Sequence, residues 1–286
     1  CYMFNGLAAS TVLEGHVYHL LQPWLPLCAL FWWKALRDSS IKAAVLSAVF
    51  WGMCLLTSAY VGLGASLLVV IFWFGHCGWR QRSSYWGVAL KLSIFVMYYQ
   101  LYQSSPSLSD GRDFNSLMVG ALNLSNFFGH RPMIDHSLHS QSLGILAIPL
   151  IVALHSTDVL PRRVGRRVLW CSAVMSLLFA CGSFLTLDSL QPLFPLPLLF
   201  LSELPLLGSI GFPIRLAWPF LLCVGVLAAL TLSRSALSMR MLAGIMVLTV
   251  VEIFVSVQLP WRQHSNPIEI PAVYAEASGP VLDIYP

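Results

Sequence analysis

The chain has 286 residues, of which 57% are hydrophobic and only 10% charged, with a net charge of +4 and a mean hydropathy of +0.75. A soluble domain carries about 25% charged residues, so this composition excludes a water-soluble fold. The basic residues form short clusters beside apolar stretches, which argues against a nucleic-acid partner and points to membrane lipids.

A membrane-crossing helix needs about 20 mostly apolar residues. Taken in chain order, the apolar runs give eight candidates: Tyr18–Leu36, Ala43–Ser58, Gly64–Trp79, Trp86–Tyr102, Leu143–His155, Val168–Leu185, Leu216–Leu232 and Met239–Leu259. The run from Val45 to Trp79 is too long for a single span and is divided at Thr57–Gly64. The predicted fold is all-α, a polytopic transmembrane helical bundle of about eight spans with long extracytoplasmic loops. Residues 1–259 form the bundle, and 260–286 begin an extracytoplasmic C-terminal segment.

Charge orients the bundle. Lys34, Arg37 and Lys42, then Arg80 and Arg82, then Arg162, Arg163, Arg166 and Arg167, then Arg234 and Arg240 fall in every second gap, 11 of the 16 basic residues. The intervening gaps hold Arg112, Arg131, Arg215 and Arg262. Basic residues resist translocation, so the rich gaps are cytoplasmic and both ends lie outside. The long loops are then extracytoplasmic, and a site is expected among them. No charged segment precedes an apolar one at the start, so no signal peptide is expected; starting at Cys1 without Met and stopping at Pro286 just after a strand-like stretch, the chain reads as a piece of a longer polytopic protein. Cys28, Cys54, Cys171, Cys181 and Cys223 lie in apolar stretches and Cys77 at a membrane edge; none forms a metal-ligand spacing or disulfide framework.

Several polar groups stand out. His16 and His19 precede the first span at helical spacing, either as a polar pair at the mouth of an outer cavity or as an interfacial helix start. The run from His130 and Arg131 through Asp135, His136 and His139 reads as a solvated loop, with a ligand-contacting loop and a metal site as lesser alternatives. No metal and no cofactor are expected. Asp188–Arg215 is apolar but holds Pro192, Pro195, Pro197, Pro205 and Pro213, so it is expected to form short helices or re-entrant turns at the outer interface. Arg215 ends that segment, either as a lipid-phosphate contact or as a snorkelling anchor. Glu252 is an acid deep within a span, a functional candidate unless it packs against Ser256 or a neighbouring helix. Lys91 is expected to snorkel to the inner face. Trp32, Trp33, Trp73, Trp79, Trp86, Trp218 and Trp261 are expected as interfacial anchors.

Four stretches occur in order: Glu14-Gly15-His16 with Gln22-Pro23-Trp24-Leu25-Pro26-Leu27; Leu124-Ser125-Asn126-Phe127-Phe128 with Ser142-Leu143-Gly144-Ile145-Leu146; Glu203-Leu204-Pro205-Leu206-Leu207 with Phe212-Pro213-Ile214-Arg215-Leu216; and Gly279-Pro280-Val281-Leu282-Asp283. In order and spacing the chain resembles the bacterial polytopic proteins of the GT-C glycosyltransferase superfamily, close to the YfhO type. Gly211 stands where that pattern carries a first Arg, and Leu216 where it carries Phe. The resemblance implies inverting sugar transfer on the outer face of a bacterial inner (cytoplasmic) membrane, from a polyprenyl-phosphate donor to a cell-envelope acceptor. A carboxylate would act as general base, and cations would stabilise the leaving phosphate. The family's catalytic carboxylate is expected upstream of Cys1, so Arg215, His16, His19, His130 and Arg131 would supply substrate-binding walls. A transporter or flippase of lipid-linked substrates, and a non-catalytic membrane scaffold, are the competing readings.

The orientation is directly testable. With the seven native cysteines replaced, a membrane-impermeant thiol reagent added to intact cells should label Ser137→Cys and Ser265→Cys but not Ser235→Cys. Labelling at position 235 overturns the orientation.

Overall fold

The computed structural model describes residues 23–103, 147–155, 164–186, 192–201 and 213–263. The described residues are mostly helical, in agreement with the all-α expectation. His16, His19, His130 and Arg131 lie outside them.

Four helices come first: α1 (Trp24–Asp38), α2 (Ile41–Thr57), α3 (Ala59–Gly75) and α4 (Arg82–Gln103). The corner between α1 and α2 turns at Ser39, in the left-handed region, and Ser40 caps α2 by accepting from the Ala43 N–H. The long apolar run breaks at a single residue. Ser58 is extended, α3 starts at Ala59, and so the helix begins five residues before the expected Gly64. A 3-10 turn, Gly78–Arg80, leads into α4. Gly78 is required there, because a Cβ would fall 1.9 Å from Trp73 Cδ1. Gln81 then donates to the Leu36 carbonyl at 2.6 Å, tying the start of α4 to the end of α1.

The second part comprises α5 (Ala147–Leu154), α6 (Val164–Ala180), strands β1 (Phe184–Thr186) and β2 (Pro192–Pro195), α7 (Pro197–Leu201), a 3-10 turn (Pro213–Ala217), α8 (Trp218–Arg234) and α9 (Met239–Gln263). Gly182, at φ 79°, takes the left-handed turn that ends α6. The expected sixth span is therefore corrected. It stops at Ala180, and Phe184 and Leu185 belong to an antiparallel hairpin with β2. The short helix expected in the proline-rich stretch is α7. The two strands beside it depart from a wholly helical chain.

Helix α1 packs on α2, α2 on α4, and α3 links this group to α6, α8 and the Pro213–Ala217 turn. One core cluster runs through both parts, from Leu25 and Trp32 to Trp218 and Leu227. Backbones approach closely where side chains vanish. A Cβ at Gly64 would fall 2.9 Å from Pro219 Cγ, so α3 and α8 cross there through a glycine.

Among the described residues one helix, Pro213–Arg234, with 22 residues and a mean hydropathy of 2.1, is long and apolar enough to cross a membrane. Ile41–Thr57 and Ala59–Gly75 are shorter apolar helices. At 17 residues each they reach about 25 Å, a little under the hydrocarbon thickness of a bilayer.

Candidate functional site

Arg215 sits in the Pro213–Ala217 turn, and all five residues of that turn are buried. Pro213 fixes its own φ, which stiffens the approach to the guanidinium. The head group lies 5.4 Å from the centre of the Tyr60 ring on α3. Leu198 and Leu216 are buried beside Tyr60, Leu63 and Phe179. Arg215 is 5% exposed, so the snorkelling reading is corrected: the side chain points into protein. Only the start of α3 and the turn before α8, far apart in sequence, bring Tyr60 and Arg215 together.

A second polar group is enclosed by the first four helices. Lys91 on α4 is also 5% exposed, and its ammonium sits 3.9 Å from the centre of the Trp32 ring on α1. It has no hydrogen-bond partner among the described residues. The expected snorkelling does not occur, because α1 and α2 close over the side chain. Ser47 on α2 donates to the Cys28 carbonyl at 3.2 Å, one helical turn from Trp32. An apolar crevice between α1 and α3, lined by Cys28, Trp32, Ala65 and Phe72 among others, has no room for a water molecule. The group is thus packed shut and offers no binding cavity.

Trp32 and Trp218 are each 1% exposed, which corrects their reading as interfacial anchors; Trp33, Trp79 and Trp86 are exposed as expected. Three indoles of the first helices find partners within the protein. Trp32 donates to the Val69 carbonyl at 2.9 Å, Trp51 to Ser66 at 3.0 Å and Trp73 to Ser84 at 3.1 Å. Sequence reasoning missed the Trp32–Lys91 pair. The available signal was a cation in an apolar stretch, which as a rule faces the protein interior and a partner there.

Glu252 on α9 is half-buried, and its partner is a neighbouring helix. One carboxylate oxygen accepts from the Ala147 N–H, the other from the Ile148 N–H at 3.1 Å. These are the first two amides of α5, donors that a helix leaves without internal partners. A carboxylate there also meets the positive end of the helix dipole. Glu252 is therefore a cap supplied from a helix roughly a hundred residues away. No group of His, Cys, Asp and Glu among the described residues has the arrangement to hold a metal ion.

Of the expected site residues, only Arg215 is among those described, and no other expected wall residue is brought to it. Comparison of the chain with protein-family models, curated proteins and solved structures gives no match. The geometry makes one firm demand, at Glu252. Glu252→Ala leaves two amides without their acceptor and should cost about 1–3 kcal/mol of stability. Glu252→Gln keeps an acceptor oxygen and should cost less. Amide hydrogen exchange at residues 147–150 should accelerate most in the alanine variant. Exchange rates unchanged by that substitution would show that Glu252 does not cap α5.

Proposed function

We propose that this chain is the membrane-embedded part of a GT-C-like glycosyltransferase, moving a sugar from a polyprenyl-phosphate donor to a cell-envelope acceptor outside a bacterial inner membrane. The observation that carries the proposal is the ordered series of motif stretches ending at Phe212-Pro213-Ile214-Arg215-Leu216 and Gly279-Pro280-Val281-Leu282-Asp283. Three features support the multi-span topology beneath it. Basic residues alternate between gaps. The Pro213–Arg234 helix is long and apolar enough to cross. Large apolar side chains face outward on several helices, among them Leu56 on α2, Met97 on α4, Ile151 on α5 and Val250 on α9. Large apolar side chains so exposed on four helices suit a lipid surround.

In this reading the outer gaps hold the donor. Arg215 heads α8, the long apolar helix, with Arg131, His16, His19 and His130 as further walls. A guanidinium matches phosphate oxygens with two parallel hydrogen bonds, which an ammonium cannot do. The Pro213–Ala217 turn fixes the backbone beneath that group, and the guanidinium would turn from the Tyr60 ring to meet a donor phosphate.

The transporter reading loses one of its supports, because Glu252 is engaged as the cap of α5. The scaffold reading has no chemistry and requires no donor binding.

The test is binding of a polyprenyl-phosphate sugar to the protein in phospholipid nanodiscs, with thermal unfolding followed on the same samples. Arg215→Ala should weaken donor binding by about 1.5–3 kcal/mol, the range for hydrogen bonds to a charged group, and Arg215→Lys by less. Unchanged affinity in the folded alanine variant would leave Arg215 as a packing residue over Tyr60. Absence of donor binding by the unaltered chain would favour the scaffold.

A further inference from the structure

The segment around the β1–β2 hairpin has a surface unlike that of a loop in water. Among the described residues of 181–201, those classed as exposed are Leu193, Phe194, Pro195 and Phe200. Leu193, Phe194 and Phe200 are 55%, 63% and 73% exposed. The polar Ser183 is buried, and no charged residue occurs in 181–186 or 192–201; Asp188, Ser189 and Gln191, which join the strands, lie outside the described residues. Surface loops and strand edges in water normally carry polar or charged side chains, lysine above all at edges.

The backbone is adapted to an apolar surrounding as well. Pro192 and Pro195 have no N–H, so half of the four residues of β2 offer no donor at an open edge. The register shifts opposite Leu185 and Thr186, and the shift leaves Leu193 as the extra residue of a bulge. A bulge bends a strand and ends pairing with further strands. The remaining backbone is tied down locally, with the Leu196 N–H donating to the Ser183 carbonyl at 2.9 Å and the Leu199 N–H to the Leu196 carbonyl at 3.0 Å.

We infer that the hairpin and α7 form a lipid-inserting wedge, with Leu193, Phe194 and Phe200 seated among the acyl chains at the boundary of the outer leaflet. Two-stranded backbone cannot sit in the hydrocarbon centre, where an open edge has no partner, so the wedge is shallow. Apolar side chains at headgroup depth bind in proportion to their buried area. A protein partner would instead be expected to meet a polar rim around an apolar centre, and among the described residues the exposed ones supply none. The inference rests on the membrane topology proposed above and not on the sugar-transfer reading.

The test uses the whole chain in phospholipid nanodiscs with trifluoromethylphenylalanine in place of Phe194, and separately in place of Phe200. The same label at Phe74, exposed on α3, reports on the helical surface. Fluorine signals are broadened either by lipids carrying a shallow nitroxide or by a water-soluble gadolinium chelate. The wedge predicts several-fold stronger broadening by the lipid nitroxide than by the chelate at both 194 and 200. Stronger broadening by the chelate at these positions, with Phe74 still reached by lipid, overturns the wedge and leaves the membrane topology standing. Protection from both reagents also overturns it, because protein would then cover the face. Failure of the lipid nitroxide at Phe74 as well overturns the membrane topology itself.

Discussion

Trp32 is where the first four helices meet, and the arrangement of that half depends on it. The indole is 1% exposed. Its N–H donates to the Val69 carbonyl of α3. Its face carries the Lys91 ammonium of α4. Its edge lies against Gly87, also on α4, where a Cβ would fall 2.7 Å from Cζ3 and 3.1 Å from Ala44 on α2. One side chain of α1 thus sets the distance to α3 and α4, and Gly87 lets α4 close on Ala44 of α2 at the same level. A desolvated cation over an indole contributes about 2 kcal/mol, whereas enclosing an ammonium costs several. The pair therefore does not explain the burial of Lys91 by itself. Packing of the large ring and of the lysine's apolar stem supplies the rest.

Some of the other enclosed polar groups are met within the protein, while the buried hydroxyls of Ser83, Ser172 and Ser176 have no hydrogen-bond partner among the described residues. Thr231 turns its hydroxyl back onto the Leu227 carbonyl at 2.8 Å within α8. Ser66 does likewise to Gly62, and its oxygen also receives the Trp51 indole. Glu252 carries the principle between distant segments, satisfying two amides of α5 from α9. Where water is excluded, a donor that protein does not meet is costly, so each of these bonds contributes to the fold. This is also why Glu252, in sequence the most suggestive acid of the apolar stretches, is better explained as structure than as a transport group.

Helices were the most legible part of the sequence, because apolar periodicity and length announce them. Sequence and structure agree on Met239 as the start of α9 and on the division of the long Val45–Trp79 run. The expected break, Thr57–Gly64, contains the actual one but is too wide, because only Ser58 leaves the helical conformation. The end of α6 was misplaced because Phe184 and Leu185 are apolar enough to continue a span, while the decisive residue is Gly182 with its positive φ. For the polar groups the limit is different. Composition shows that Lys91, Arg215 and Trp218 lie in or beside apolar runs, but not which way they point. Their partners, Trp32 and Tyr60, are tens of residues or more away, and no local pattern links them.

The central claim is that Trp32 and Lys91 act as one unit holding α1 to α4. A double-mutant cycle on the thermodynamic stability of the chain in detergent tests it, using Trp32→Leu to remove the ring, Lys91→Met to remove the charge while keeping the stem, and the double variant. The account predicts a coupling energy of about 1–2 kcal/mol, as for a desolvated cation–π pair. Changes that simply add, within about 0.3 kcal/mol, would contradict it.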